Sequence, residues 1–219
     1  MSEKLERMEA FFENRLNGYD AHMLDTIEGA RDFYPFTARL LPKAEGTRVL
    51  DLGCGTGLEL EEYLARAPGA RVTGVDLSEG MLRALKKKLP DRNIELICGS
   101  YFTVPFGENC FDAAVSVESL HHFEPDAKQR LYRKLHSALK DGGYFILTDY
   151  FASTPEEEKA CFDTLDELKR KQGIARDVLC HWDTPLTVEH EMKLLRGAGF
   201  RKAEELSFWG NTHVLRAEK

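Results

Sequence analysis

The chain has 219 residues, and its 37 acidic against 30 basic side chains give a formal net charge of −7 at pH 7. An acidic chain offers no broad attraction to a nucleic-acid backbone or an anionic membrane, so we expect neither as a partner. The five cysteines include no CxxC pair, and no signal peptide or long apolar run is found. These features predict a cytoplasmic protein with free thiols and no structural zinc.

The predicted elements begin with helices and continue as an alternation of strands and helices. Apolar residues at helical spacing predict two helices between Glu3 and Leu41, divided near residues 17–20 and ended by Pro42. The elements predicted next are, in chain order, strand 48–52, helix 58–67, strand 71–77, helix 78–89, strands 93–99 and 111–117, helix 125–140, strand 142–151, and helices 155–172 and 187–197. Two β-type runs around the sequence "WGN" then predict a C-terminal hairpin.

This alternation predicts a mostly parallel sheet with helices on both faces, because parallel strands need crossover connections. No repeat, low-complexity tract or linker divides the sequence. We therefore expect a single domain over residues 1–219, with a helical lid at 1–42 and a core at 45–219.

A glycine-rich turn follows the first predicted strand, in the sequence "VLDLGCGTG" (residues 49–57). Such turns between a strand and a helix hold nucleotides, because backbone N–H groups and the helix N-terminus face the ligand. Leu58 stands where the dinucleotide pattern GxGxxG has its third glycine, which disfavours a nicotinamide or flavin cofactor. No lysine follows the glycines as in a P-loop, which disfavours a polyphosphate.

Two acidic residues flank this turn. Asp76 ends the second predicted strand, 19 residues after Gly57, where a carboxylate can accept hydrogen bonds from both hydroxyls of a ribose. Asp51 directly precedes the turn and would repel a polyphosphate. Taken alone, Asp76 could equally cap the following helix. Together the two acids favour a cationic or zwitterionic nucleoside.

Four blocks of sequence together carry a resemblance to a known family: "VLDLGCGTG", the acid of "VTGVDLS", "FDAAVSVESLHHF" and "LKDGGYFILTD". In this order and spacing they resemble the class I S-adenosylmethionine-dependent methyltransferases, most strongly over residues 45–151. The resemblance implies an α/β, Rossmann-like, doubly wound fold with a seven-stranded, mostly parallel sheet, an antiparallel strand in the C-terminal hairpin, and N-terminal lid helices. It also implies S-adenosyl-L-methionine as cofactor and direct displacement of its methyl group.

The resemblance further implies which residues contact the cofactor. The glycine turn would lie under the methionine portion, Asp76 would hold the ribose, and Leu77 and Met81 would flank the adenine. The full set implied in this way is Asp51, Gly53, Cys54, Gly55, Gly57, Asp76, Leu77, Met81, Ser100, Tyr101, Val117, His122 and Tyr19. Leu77 and Met81 could also be ordinary core residues, and Cys54 has no basic neighbour that would make it a nucleophile.

Methyl transfer needs alignment of donor and acceptor, and a base helps when the acceptor is a hydroxyl or an ammonium group. In an open α/β sheet such a base comes from loops beyond the carboxyl ends of the strands. The candidates are Glu118, His121, His122, Tyr19 and His22. Each also has a purely structural explanation, such as helix capping or packing. We expect no metal, because Cys180, His181 and Asp183 are sequence neighbours that point in different directions.

The acceptor is expected to be a small molecule. Where amino-methylating nucleic-acid enzymes carry [DN]PP[YF], this chain reads "SVES", and its net charge is acidic. Two alternatives remain open beside a small-molecule methyltransferase. One is a binding protein that holds the cofactor without turnover, and the other is a different reaction of the same cofactor.

Overall fold

The computed structural model describes residues 4–219, so the expected helical start at Glu3 lies outside the described residues. The N-terminal region contains three helices, α1 (Met8–Arg15), α2 (Tyr19–Thr26) and α3 (Ala30–Leu40). The predicted break near residues 17–20 is confirmed, but the prediction of two helices was wrong. Ile27 is extended and Gly29 adopts a left-handed backbone (φ +77°), which separates α2 from α3.

The remaining elements follow the predicted order. They are β1 (Arg48–Leu52), α4 (Leu58–Arg66), β2 (Arg71–Asp76), α5 (Glu79–Lys88), β3 (Ile94–Cys98), β4 (Phe111–Val117), a short 3₁₀ helix (Leu120–His122), α6 (Pro125–Ala138), β5 (Leu139–Tyr150), α7 (Pro155–Gln172), α8 (Val188–Gly197), β6 (Lys202–Trp209) and β7 (Thr212–Glu218). β5 begins three residues before the predicted Gly142, next to a shift in the β4–β5 register.

The seven strands form one sheet in the order β3-β2-β1-β4-β5-β7-β6. β7 runs antiparallel to both of its neighbours, and the pairs among β1 to β5 are parallel. The predicted Rossmann-like sheet with an antiparallel strand in its C-terminal hairpin is therefore confirmed. Among the described residues, no helix combines the length and apolar character needed to cross a bilayer.

Side chains alternate between two hydrophobic cores, one on each face of the sheet. Along β5, Phe145 and Leu147 belong to one core, while Ile146 between them belongs to the other. In β1, Leu50 and Val49 divide in the same way. This pattern follows from the period of two in a strand, and it explains why the strands read as nearly continuous apolar runs.

The strand order reverses at β1, which lies between β2 on one side and β4 on the other. Connections from these strands leave in opposite directions, and this opens a crevice beyond their carboxyl ends. The turn after β1 reaches α4 through Gly57, whose φ of +75° suits glycine, and α5 begins where the Ser78 hydroxyl accepts a hydrogen bond from Met81 N (3.1 Å). Both loops therefore border the crevice.

Candidate active site

Two adjoining cavities occupy the crevice between the sheet and the N-terminal helices. The inner cavity, counted together with the space that opens to solvent, amounts to about 530 Å³ and reaches from the glycine turn to the loop after β4. The outer cavity has a volume of about 710 Å³ and extends beneath α1 and α2. Four residues line both cavities, namely Phe12, Tyr19, Glu118 and His122. A ligand in one cavity would therefore meet a ligand in the other at these four side chains.

The glycines of the turn after β1 are required for different reasons. Gly55 (φ +48°) lines the inner cavity, and a Cβ built on it would find only Gly53 O, at 3.9 Å. A Cβ on Gly53 would overlap the Ser119 hydroxyl, and one on Gly57 would lie 2.8 Å from a methyl of Leu85. Gly57 is thus required by packing, whereas Gly55 leaves open space that faces the cavity.

Asp76 connects the two loops that border the inner cavity. Its Oδ2 accepts a hydrogen bond from Gly55 N (2.9 Å), and its Oδ1 accepts one from Ser78 N (2.8 Å). A carboxylate has about four acceptor positions, so each oxygen keeps one for a ligand. Burial raises the pKa of Asp76, and the backbone N–H groups oppose this shift. The carboxylate therefore organises the turn and also presents free lone pairs to the cavity.

Most of the residues implied as cofactor contacts line the inner cavity: Tyr19, Gly53, Gly55, Asp76, Leu77, Met81, Tyr101, Val117 and His122. Asp51, Cys54, Gly57 and Ser100 do not. The Cys54 thiol packs beside Gly74, and the Ser100 hydroxyl accepts a hydrogen bond from Phe102 N (3.3 Å) within its own turn. These two side chains serve the loops rather than the cavity wall.

Five further residues line the inner cavity without having been predicted as cofactor contacts: Met8, Phe12, Ser119, Phe123, and Glu118, which was predicted only as a catalytic candidate. Ser119 follows β4 directly, so its position at the carboxyl end of a strand was a usable signal. Met8 and Phe12 are four residues apart and share one face of α1. That face could have been recognised as apolar, but its contact with the cavity depends on how α1 packs.

The inner cavity is suited to a cation. Of its lining residues within the described part of the chain, none is Lys or Arg, while Asp76 and Glu118 both contribute carboxyl groups. Behind the glycine turn, both carboxyl oxygens of Asp51 are buried, and apart from the Glu59 carboxyl they have no hydrogen-bond partner among the described residues. A buried carboxyl group without a donor is costly to ionise. The open cradle at Gly55, next to the Asp76 carboxylate, fits a nucleoside that carries positive charge at its amino-acid end.

Asp51 and Glu59 are both buried and interact with each other. Burial, together with the Glu59 carboxyl, raises the pKa of Asp51 well above its ordinary value, and burial also raises the pKa of Glu59. A raised carboxyl pKa means that the folded protein holds a proton that the unfolded chain releases. The stability from this source is therefore present at low pH and is lost as the pH rises through the folded pKa.

We expect Asp51→Asn to flatten the dependence of stability on pH. Above pH about 5, the unfolding free energy of the parent protein should fall by up to about 1.4 kcal/mol per pH unit for each proton retained only by the folded state. The asparagine variant should show a clearly smaller slope in urea unfolding followed by circular dichroism. Glu62→Gln, at an exposed position of α4, is the control and should keep the parent slope. Parallel curves for Asp51→Asn and parent would contradict this assignment.

All five residues proposed as catalytic candidates line the outer cavity: Tyr19, His22, Glu118, His121 and His122. Glu118 lies where the two cavities join and has a left-handed backbone (φ +48°), a strained conformation for this residue type. Its Oε1 accepts a hydrogen bond from the Thr212 hydroxyl (3.0 Å). Burial raises the pKa of Glu118 to about 7, against the opposing charge of His121. Glu118 therefore combines a strained backbone with a buried carboxyl group at the point where the two cavities meet.

A cluster of histidines and carboxylates forms the floor of the outer cavity. His121 Nδ1 lies 2.5 Å from Asp149 Oδ1, and His121 Nε2 lies 3.5 Å from Asp183 Oδ1. Burial lowers the pKa of His121, but the two carboxylates outweigh it and raise that pKa to about 10. Burial and the neighbouring His121 lower the pKa of His122. His181 stacks on Phe11 at 3.4 Å between ring centroids.

The N-terminal helices are fastened to the loops around the inner cavity. Glu13 of α1 accepts a hydrogen bond from Gly80 N (2.7 Å) at the start of α5. Asp20 of α2 accepts a hydrogen bond from the Thr56 hydroxyl in the glycine turn and pairs with Lys88 Nζ (2.6 Å). These contacts hold α1 and α2 over the cavities, as expected of lid helices.

Comparison with known proteins is consistent with this geometry. The family model described as "Methyltransferase domain" matches residues 49–143. The demethylmenaquinone methyltransferase of Chlorobaculum parvum is 31% identical over 79% of this chain and 75% of its own length. The carboxy-S-adenosyl-L-methionine synthase of Nitratiruptor is 27% identical over 75% of this chain and 72% of its own length. Over eight curated relatives, the match covers from 40% to 75% of the relative's own length.

Solved structures show the same fold. Human N-acetylserotonin methyltransferase in complex with S-adenosylmethionine superimposes with a TM-score of 0.67 and 19% identity, covering 95% of this chain and 56% of the human one. The sheet order, the glycine turn and the family match agree with one another. The chain belongs to the class I S-adenosylmethionine-dependent methyltransferases.

Proposed function

We propose that this protein transfers the methyl group of S-adenosylmethionine to a small molecule held in the outer cavity. The observation that carries the proposal is the common wall of the two cavities, formed by Phe12, Tyr19, Glu118 and His122. When bound, S-adenosylmethionine supplies an electrophilic methyl group on a sulfonium centre. A methyl group directed at this wall would face an acceptor in the outer cavity.

The inner cavity would hold the cofactor through contacts from three loops. Asp76 has free lone pairs for the ribose hydroxyls, and Leu77 and Met81 offer an apolar slot for the adenine. The backbone of Gly55 would lie against the methionine portion, because no side chain of residues 4–219 comes within 4 Å of a Cβ built there.

The outer cavity suits a partly apolar acceptor with at least one polar group. Phe11, Phe12 and Met23 supply apolar surface, while the carboxyl and imidazole groups of Glu118 and His122 face the join with the inner cavity. The fastened helices α1 and α2 would exclude water and align the acceptor, which is the main requirement of a direct displacement. The size of the cavity supports a small-molecule acceptor, and the acidic net charge of −7 disfavours a nucleic-acid or membrane partner.

A second candidate reaction is modification of the cofactor itself. It is favoured by the similarity to the Nitratiruptor carboxy-S-adenosyl-L-methionine synthase. In that case the outer cavity would hold the donor of the added group rather than a methyl acceptor.

The test is a transfer assay with S-adenosylmethionine labelled with deuterium in its methyl group and fractionated small-molecule extracts. Mass spectrometry should find S-adenosylhomocysteine together with a small molecule that has gained the label. Asp76→Ala protein, with its weakened cofactor site, serves as the control and should yield less of both. Label that stays on a modified nucleoside would favour the second reaction. Tight cofactor binding without transfer in any fraction would favour a non-catalytic binding protein.

A further inference from the structure

Three potential metal ligands from two distant parts of the chain converge on the floor of the outer cavity. His121 and His122 lie in the 3₁₀ helix after β4, and Asp183 lies in the loop before α8. Asp183 Oδ1 is 3.5 Å from His121 Nε2 and 3.3 Å from His122 Nδ1. Two imidazoles and one carboxylate make up a donor set that binds divalent first-row transition metals.

These distances are long for hydrogen bonds but suit a shared cation. Hydrogen bonds from nitrogen to oxygen cluster between about 2.7 and 3.2 Å. Around a tetrahedral ion with nitrogen and oxygen ligands at about 2.0–2.2 Å, neighbouring ligand atoms stand about 3.3–3.6 Å apart. The two separations from Asp183 Oδ1 match the edges of such a tetrahedron.

Neighbouring residues hold the His121 ring in the orientation that metal binding requires. Asp149 Oδ1 lies 2.5 Å from His121 Nδ1, which directs His121 Nε2 toward Asp183. A carboxylate behind a ligating histidine is the usual outer support of a metal site, because it fixes the tautomer and the ring orientation. The backbone is held as well, since Thr184 N donates a hydrogen bond to His121 O (2.8 Å).

The three potential ligands can also be reached from the outer cavity, where the acceptor would bind. The side chain of Asp183 is 51% exposed, and all three ligands line the outer cavity. His122 Nδ1 lies 3.1 Å from the carbonyl oxygen of Trp182, and the two atoms share a proton. A bound cation would take the place of that proton. Three protein ligands with a free position are typical of catalytic rather than structural metal sites.

We propose that His121, His122 and Asp183 bind one divalent transition-metal ion, which holds a hydroxyl or thiol group of the acceptor. This inference rests on the proposed function for its substrate class, and it departs from the sequence-based expectation of no metal. A Lewis acid makes such a group a better nucleophile by stabilising its anion. The acceptor oxygen or sulfur then bonds to the methyl carbon, the bond from that carbon to the sulfonium breaks with its electrons staying on sulfur, and the acceptor proton passes to water.

The test begins with direct metal binding by the full chain after treatment with a chelator. Titration with Co²⁺ should give a visible absorption spectrum that saturates at one ion per chain, and Zn²⁺ should displace it. Mg²⁺, which prefers oxygen ligands, should not compete. Absence of a saturable Co²⁺ spectrum would overturn the proposal.

Variants then assign the ligands. Asp183→Ala, at a half-exposed position, should remain folded and weaken Co²⁺ binding on the order of 100-fold or more, and Asp149→Asn should weaken it about 10-fold through His121. His22→Ala removes an imidazole from the same cavity outside the proposed set and should bind Co²⁺ as the parent does. The assignment would be overturned if His22→Ala and Asp183→Ala lost Co²⁺ affinity equally, or if Asp183→Ala lost none.

The transfer assay separates this inference from the proposed function. Metal binding at the assigned residues in a protein that transfers no methyl group would support the site and refute the enzymatic role. Methyl transfer that survives complete removal of the metal, with no gain on adding Zn²⁺ or Co²⁺, would refute the role of the metal and leave the enzymatic role intact. Loss on chelation, with recovery on adding metal, would support both.

Discussion

Replacement of Gly55 by valine should abolish binding of S-adenosylmethionine while the protein remains folded. The new side chain would project into the inner cavity, where a Cβ now meets nothing closer than Gly53 O at 3.9 Å. It would occupy the space assigned to the methionine portion of the cofactor. We expect affinity to fall on the order of 100-fold or more in a calorimetric titration, because the steric overlap cannot be relieved by a backbone already in a left-handed conformation.

The control is Gly46→Val. Gly46 also has a left-handed backbone (φ +73°) with open space around its Cβ position, but it does not line either cavity. Both variants should lose about 1–3 kcal/mol of stability through backbone strain. Only Gly55→Val should lose the cofactor. If both variants bind normally, or if Gly55→Val unfolds while Gly46→Val does not, the glycine serves the turn and not the ligand.

Asp76→Ala should weaken cofactor binding by roughly 10-fold to 100-fold. The carboxylate is placed to accept charge-assisted hydrogen bonds from the ribose hydroxyls, and such bonds contribute about 1.5–3 kcal/mol. The same change removes the acceptor of Gly55 N and Ser78 N, so part of the loss reflects a less ordered turn. Calorimetry with S-adenosylhomocysteine, beside thermal melting, separates the two effects.

Asp76→Asn provides the finer control. The amide keeps one acceptor oxygen. The affinity of the asparagine variant for S-adenosylhomocysteine should therefore lie between those of the parent and the alanine variant. NAD should not bind measurably to any of the three proteins. Unchanged affinity for S-adenosylhomocysteine in Asp76→Ala would remove Asp76 from the site, and preference for NAD would overturn the choice of cofactor.

The fold was predictable because its signals are local. The apolar run of each strand, the glycine turn and the acid at the end of β2 all depend on residues close together in sequence. The break at Gly29 was missed because one glycine within an apolar pattern is compatible with a continuous helix. Its left-handed backbone places it against the side chain of Trp209, a contact from the far end of the chain.

The site was predictable only in part, for a related reason. Residues at the carboxyl ends of strands, such as Asp76 and Glu118, follow from the rule for open sheets. Ser100 obeys the same rule, but its hydroxyl turns back to its own loop. The approach of Asp183 to His121 could not be predicted, because it depends on how the loop before α8 folds over the 3₁₀ helix. Sequence spacing carries no information about that contact.

The attachment of α1 and α2 has a kinetic consequence. Glu13 and Asp20 hold these helices to the start of α5 and to the glycine turn, which are the loops that would surround the cofactor. We expect exchange of spent for fresh cofactor to break and reform these polar contacts in every catalytic cycle. Such opening motions take microseconds to milliseconds and commonly limit turnover. The residence time of the nucleoside, rather than the displacement itself, would set the rate of the cycle.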